Sequence, residues 1–248
     1  MSTEPTGRRR IAAVTGASSG IGEALARALA AAGFDLALLA RRADRIERLA
    51  DELRRDGGRA VAIELDVSDE AAAAAAARAV REALGPVDLL VNNAGLMQVG
   101  PFGPERAAEA RRMVETNLLG AISVTAAFLD QLRERKGDLV NVSSLAGRTS
   151  APRLSVYNAT KWGLNGWTEA LRQELAPDVR VILVEPGVVG TELLSHTTDE
   201  PSRTSMERWY ERVGALTPEE VAGVIAYAVC LPHHVSLSEL VVRATSQA

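Results

Sequence analysis

Ile11-Ala-Ala-Val-Thr15-Gly16-Ala-Ser-Ser-Gly20-Ile-Gly22 runs an apolar stretch straight into a glycine-rich turn, and residues 23–32 continue with helix-like spacing. A strand, a tight turn and a helix start therefore coincide. Glycine reaches backbone angles closed to other residues, so the turn can gather main-chain N–H groups at the positive end of the following helix. Such a cradle suits an anion like a pyrophosphate. The spacing Gly16-x-x-x-Gly20-x-Gly22 is wider than the common dinucleotide pattern. Taken alone, the turn could equally be a plain connector between strand and helix.

Outward from this stretch, short apolar runs recur near 10–14, 35–40, 60–65, 87–91, 138–142, 179–184 and 238–242, with helical patterns in most of the gaps. The runs are nearly continuous in apolar residues rather than alternating. That is the pattern of strands buried on both faces, as in a parallel sheet covered by helices. The expected fold is α/β: a Rossmann-type doubly wound parallel sheet of about seven strands flanked by helices. A chain of 248 residues can form this as one domain, and no Pro-, Gly- or Ser-rich linker divides residues 8–248. Residues 1–7 read as a flexible tail, and Arg8-Arg-Arg10 as a solvated lead into the first strand. The alanine stretch 71–77 follows Ser68-Asp69-Glu70, a good helix cap, and reads as a plain surface helix.

Composition narrows the classes of function. A net charge of -4 leaves no broad basic surface, so no nucleic-acid partner is expected. The apolar runs are too short to span a bilayer, and no long apolar core follows Arg8-Arg-Arg10 as in a signal peptide. With Cys230 as the lone cysteine, an intramolecular disulfide is impossible; without a Cys/His cluster, no metal site is expected. A cytoplasmic location fits this pattern.

The end of the second strand bears on which dinucleotide fits. A free ribose 2′-hydroxyl usually meets an acidic residue about 20 positions beyond the glycines. Here the stretch reads Leu39-Ala40-Arg41-Arg42, with Asp35 before the strand and Asp44 beyond the turn. Two guanidinium groups offer charge-assisted bonds to a 2′-phosphate, which favours NADP(H) over NAD(H). The competing reading is a basic start to the next helix.

Downstream, Ser155 begins a helical pattern that places Tyr157 and Lys161 at i and i+4, on one face with Leu164, Thr168, Leu171 and Leu175. A free tyrosine has a pKa of about 10. A cation about 4 Å away contributes about 4 kcal/mol at an effective dielectric of about 20, enough for roughly three pKa units before screening. On that reasoning Tyr157 would exchange protons near neutrality, as a general acid in ketone reduction and a base in alcohol oxidation.

Several motifs then match in order, and together they are specific: Thr15-Gly-Ala-Ser-Ser-Gly-Ile-Gly22, Asp66-Val67, Asn92-Asn-Ala-Gly95, Asn117, Ser143-Ser144, Tyr157-Asn-Ala-Thr-Lys161 and Pro186-Gly-Val-Val-Gly-Thr191. Over residues 8–248 the chain resembles a short-chain dehydrogenase/reductase. Within that family it resembles clavaldehyde reductase-like (clavulanic acid dehydrogenase-like) members and, more loosely, serine/3-hydroxy acid dehydrogenase-like ones. That likeness is carried by Asn92-Asn-Ala-Gly-Leu-Met97, Glu115-Thr-Asn-Leu-Leu-Gly120, Ala170-Leu-Arg-Gln-Glu174 and Tyr227-Ala-Val-Cys-Leu-Pro-His-His234, which are mostly scaffold.

The resemblance implies a catalytic set of Asn117, Ser144, Tyr157 and Lys161. Ser144 would bond the substrate carbonyl, with Ser143 the alternative hydroxyl. Tyr157 would donate the proton, Lys161 would hold the nicotinamide ribose and lower the tyrosine pKa, and Asn117 would anchor a water. It places the cofactor against Gly16, Ser18, Ser19, Gly20, Ile21, Gly22, Arg41, Arg42, Asp66, Val67, Asn93, Ala94, Gly95, Tyr157, Lys161, Pro186, Gly187, Val189 and Thr191. Asp66 would meet the adenine amino group, and Thr191 the nicotinamide carboxamide.

Substrate contacts are expected from Met97, Ser144, Leu145, Arg148, Tyr157, Gly187, Leu193, His196 and Trp209, with a lid near residues 192–215 whose helical part lies around 205–213. His196, Arg148, Arg203, Arg208 and Arg212 could meet an acidic substrate, although charges on a lid are more often solvated. The expected activity is NADPH-dependent reduction of an aldehyde or ketone to an alcohol. The alternatives are an NAD-linked alcohol or hydroxy-acid dehydrogenase and a noncatalytic dinucleotide-binding sensor. Ala159, Gly163, Gly166 and Ala170 form a small-residue stripe opposite the catalytic pair, for an intrachain neighbour or a subunit seam. The resemblance favours a homotetramer or homodimer.

Overall fold

The computed structural model describes residues 8–247; the expected tail at residues 1–7 lies outside them. Seven parallel strands form one sheet in the order β3-β2-β1-β4-β5-β6-β7. They are β1 (Ile11–Thr15), β2 (Asp35–Ala40), β3 (Ala60–Glu64), β4 (Leu89–Asn92), β5 (Asp138–Val142), β6 (Arg180–Pro186) and β7 (Glu239–Val242). Eight helices accompany them: α1 (Gly20–Ala31), α2 (Ala43–Arg55), α3 (Glu70–Ala83), α4 (Ala107–Val114), α5 (Gly120–Arg135), α6 (Ser155–Leu175), α7 (Glu200–Val213) and α8 (Pro218–Cys230). Register is direct, with Ala12 opposite Leu36 and Leu89.

Successive strand residues feed opposite faces, as the pleat requires. Ala12 and Val14 join Leu25 and Leu29 of α1, Ile46 and Leu49 of α2, and Ile225 and Val229 of α8. Ile11 and Ala13 join Val80 of α3, Val124 and Phe128 of α5, and Leu175 of α6. Strands β1, β2, β4, β5 and β6 are buried throughout. The edge strands differ: β7 alternates exposed and half-buried residues, and β3 is only partly covered. The alanine stretch is not a plain surface helix. Asp69 caps α3 by accepting from the Ala72 amide at 2.9 Å, and Ala73, Ala76 and Ala77 are buried in the core that α5 also enters. Small side chains there let two helices approach closely.

The arginines before β1 are also not simply solvated. Arg8 pairs with Asp88 at 2.6 Å, Arg9 with Asp35 at 3.1 Å and Arg10 with Asp138 at 2.6 Å. Arg180 grips Asp138 through two bonds of 2.8 and 2.9 Å, with the arginine side chain 4% exposed and the carboxylate 0%. These groups lie at strand beginnings, so ion pairs close the N-terminal edge of the sheet and leave the opposite edge for loops. Removing one partner of a buried pair strands the other charge and costs about 3–5 kcal/mol. Asp138→Ala is expected to lower unfolding free energy by about that amount in urea titration. A loss below about 1 kcal/mol would place the stability of this edge elsewhere.

Candidate active site

At the C-terminal edge, Gly16 and Gly20 take φ values of +66° and +56°, and both carry the turn from β1 into α1. A Cβ on Gly22 would stand 2.3 Å from the Gly16 carbonyl oxygen, and one on Gly16 would stand 2.9 Å from the Ala94 Cα. Glycine is required where the chain passes itself and β4 this closely. The Thr15 hydroxyl accepts from the amides of Asn93 and Ala94 at 3.0 and 3.1 Å, and the Asn93 side-chain amide donates to the Thr15 carbonyl at 3.0 Å. Ser19 stands at the N-cap of α1 but makes no side-chain capping bond. The first amides of that helix thus keep the positive end that an anion seeks. These features fit a dinucleotide pyrophosphate.

A cleft of about 780 Å³ runs from this turn along the strand ends. Of the residues expected at the cofactor, only Gly22 does not line it; Gly22 shapes the turn behind. Arg41 is exposed and lies 3.9 Å from Asp66. Arg42 donates to the hydroxyls of Ser18 and Ser19 at 3.0 and 2.6 Å, and to Glu192 at 2.8 Å.

The expected catalytic residues gather at the middle of the cleft, apart from Asn117, which sits behind its wall. Helix α6 presents Tyr157 and Lys161, both buried. Lys161 donates to the Val142 carbonyl at 3.0 Å, and its ammonium stands 5.8 Å from the Tyr157 ring centre. Ser144 begins a short 3-10 turn, accepting from the Ala146 amide at 3.1 Å, and its hydroxyl bonds Tyr157. Ser143 donates to Asn165 at 2.6 Å. This separates the two serines: Ser144 pairs with the phenol, while Ser143 is tied to the helix.

Electrostatics correct one expectation. Burial pushes the Tyr157 phenol above its ordinary value, against a downward pull from the Ser144 bond and with a further upward push from Tyr210. Lys161 does not bring the phenol toward neutrality here; burial lowers its own pKa to about 8. Desolvation disfavours the charged form of either group and is the largest influence on both. Tyr157 therefore keeps its proton across the neutral range.

Asn117 lies in a π-helical turn, Glu115–Leu119, between α4 and α5. Its side chain donates to the Leu96 carbonyl at 2.8 Å and to the Thr160 hydroxyl at 3.1 Å, and accepts from the Leu96 amide at 2.7 Å. The π turn aims one polar side chain at both backbone groups of Leu96 and at the Thr160 hydroxyl, and such bulges are frequent at functional sites. Through it the loop after β4 is locked to the helix carrying Tyr157.

The substrate end is apolar. Met97, Leu194 and Tyr157 pack with Leu154, Leu193, Met206 and Tyr210. Ser144, Leu145, Gly187, His196 and Trp209 also line the cleft. Arg148 does not: its guanidinium is held by the buried Glu185 at 2.5 Å and by Glu239. A charge already shared by two carboxylates is poorly available to a substrate. Arg203 is likewise engaged by Glu200 and Glu207, and Arg208 and Arg212 do not line the cleft. The segment expected to form a lid comprises a 3-10 turn, Glu192–His196, and then α7, longer at its start than the sequence suggested because Asp199 caps it by accepting from the Ser202 amide at 3.0 Å.

Several contributors were not foreseen. Gln98 clamps the lid, donating to the His196 carbonyl at 2.6 Å and accepting from the Thr198 amide at 3.0 Å. Gln247 accepts from the Val188 amide at 3.0 Å and brings the C-terminal segment to the cleft. No local pattern marks either residue. Among the described residues no group of His, Cys, Asp and Glu could hold a metal ion, and no helix is long and apolar enough to cross a membrane.

Comparison with known proteins agrees with this architecture. The short chain dehydrogenase family model matches residues 10–202. An uncharacterised oxidoreductase of Listeria monocytogenes is 33% identical over 244 residues, covering 97% of this chain and 98% of the relative. An alcohol dehydrogenase from the archaeon Thermococcus sibiricus, complexed with 5-hydroxy-NADP, superposes with a TM-score of 0.87 at 34% identity, covering 97% of this chain and 99% of that one. The closed form of a serine dehydrogenase complexed with NADP+ gives a TM-score of 0.88 at 32% identity, covering 96% of each chain. Sequence and structure thus agree over nearly the whole length, and the chain belongs to the short-chain dehydrogenase/reductase family of oxidoreductases.

Proposed function

We propose that the protein reduces an aldehyde or ketone to an alcohol with NADPH. The observation that carries this reading is the buried Tyr157–Lys161 pair with the half-buried Ser144 beside it, opening into a cleft next to the glycine turn. NADPH, held along the Gly16–Gly22 turn with Arg41 and Arg42 toward its 2′-phosphate, would supply the hydride. Ser144 donates a hydrogen bond to the substrate carbonyl and so favours the negative charge that develops there. Tyr157 holds its proton until that oxygen becomes strongly basic; a phenol is more acidic than an alcohol, so transfer to the nascent alkoxide is downhill. Lys161, while protonated, steadies the phenolate left behind. Asn117 keeps the Leu96 loop and α6 in register, and the lid aromatics keep water away.

Support for a neutral rather than acidic substrate comes from the charges. Arg148 and Arg203 are committed to carboxylates, and the apolar cluster that includes Tyr157 is built from Met97, Met206, Leu154, Leu193, Leu194 and Tyr210. NADPH as donor rests on the two arginines after β2, where the strand end, Leu39-Ala40-Arg41-Arg42, carries no carboxylate. The lone Cys230, which is exposed, fits a reducing compartment such as the cytoplasm.

A homotetramer is the assembly we infer. On α6 a Cβ at Gly166 would meet nothing within 4 Å, whereas one at Gly163 would touch Leu118 at 3.1 Å. Intrachain packing explains the second glycine and leaves the first for a neighbour. Trp162, next to Gly163 in the chain, and Leu119, next to Leu118, are exposed, as are Tyr227 of α8 and Val241 of β7, which we take as a second apolar face. Two faces are what a tetramer with twofold axes needs.

Three outcomes are expected. Tyr157→Phe should lower NADPH-dependent turnover of an apolar ketone by about 10²- to 10⁴-fold while still binding NADPH; near-native turnover would reject the proton donor. The kcat/KM for reduction should fall as pH rises through about 8, where Lys161 loses its proton; a profile flat to strongly alkaline pH would remove Lys161 from the mechanism. Sedimentation velocity at micromolar concentration should show the tetramer, and monomer alone would contradict it.

A further inference from the structure

Glu192 comes from the far half of the chain, immediately after Thr191, yet it contacts the segment that follows β2. Its carboxylate accepts from Arg42 at 2.8 Å and from Arg45 at 3.1 and 3.2 Å. Arg42 simultaneously donates its Nε–H to Ser18 and its other terminal nitrogen to Ser19. The guanidinium is therefore held over the glycine turn by two serines, with Glu192 on its remaining corner. Of these five side chains, all but Arg45 line the cleft.

We propose that Glu192 is an internal competitor for the 2′-phosphate of NADP(H), and so sets how strongly the protein distinguishes NADP(H) from NAD(H). This rests on the cofactor reading above. A guanidinium binds carboxylate and phosphate through the same fork of donors. A phosphate monoester carries about −1.5 to −2 charges near neutrality. Placed on the same corner of Arg42, it and the carboxylate repel, so one must leave. The serines carry no charge and can stay, which preserves the orientation of the arginine while the anion is exchanged. Glu192 remains an anion at any working pH, because its bonds from Arg42 and Arg45 hold the carboxyl down at about 2. NADH brings no second anion to this corner, and leaves the pair intact.

The size of the effect follows from exposure. The side chains of Arg42, Arg45 and Glu192 are 37%, 40% and 47% exposed, so each pair is partly screened. Exposed pairs contribute little, and together these two correspond to about a threefold to tenfold change in affinity. Glu192 also begins the 3-10 turn that leads into the lid. Releasing it would free that end of the lid while the dinucleotide is being taken up.

The test is calorimetric titration of the full chain with NADPH and with NADH, for the wild type, Glu192→Gln, Arg42→Gln and the double variant. We expect Glu192→Gln to tighten NADPH about threefold to tenfold and to leave NADH within about twofold. In the Arg42→Gln background most of that gain should vanish. Unchanged or weaker NADPH binding in Glu192→Gln would overturn the proposal, and so would equal tightening of both dinucleotides. Glu192 is 47% exposed, so its replacement should leave the fold intact, and unfolding curves of each variant would check this. A wild type that binds NADH more tightly than NADPH would instead overturn the cofactor reading, before any variant is made.

Discussion

All seven strands point the same way, and the rest of the molecule depends on that direction. Each of the first six strands must be followed by a crossover, so each releases its chain at one edge of the sheet. The Gly16 turn, the Arg41–Arg42 pair, Asp66, Asn93, Ser144 and the Pro186–Thr191 segment come from six different strands and meet only because of it. The other edge does the opposite work. There Asp35, Asp88 and Asp138 are buried and paired with arginines that precede β1 or begin β6.

Two close approaches convert this edge into a reaction chamber. At one end the glycine turn lies against Ala94, with no room for a Cβ at Gly16 or Gly22. At the other, α6 sinks Tyr157 and Lys161 below the surface. Burial has electrostatic consequences that proximity alone does not capture. It raises the phenol and lowers the amine, so the resting pair leans toward a protonated tyrosine.

Much of this was legible along the chain because the signals are local. Continuous apolar runs mark strands buried on both faces, and an i, i+4 spacing places a tyrosine and a lysine together on any helix. Other features depend on distant partners and leave no such trace. Arg148 looks like a carboxylate ligand until Glu185 and Glu239 are folded against it. Arg8, Arg9 and Arg10 look solvated until strands from later in the sequence bring carboxylates beneath them. The attachment of Glu192 to Arg42, the Gln98 clamp and the reach of Gln247 are of the same kind. The acidity of Tyr157 is of the same kind: spacing shows which charge stands near, but desolvation depends on what packs above.

The central claim is that hydride passes from the dinucleotide to a carbonyl carbon in the cleft beside Tyr157. The most direct measurement is incubation of the protein with NADPH stereospecifically deuterated on either face of nicotinamide C4, in turn, and an apolar aryl ketone, followed by mass spectrometry of the product. Deuterium on the carbinol carbon from one of the two labelled cofactors, and not from the other, is the predicted result. Cofactor bound but no deuterium transferred from either, to this ketone or to a range of neutral and acidic carbonyl compounds, would contradict the account and return the protein to the noncatalytic dinucleotide binders.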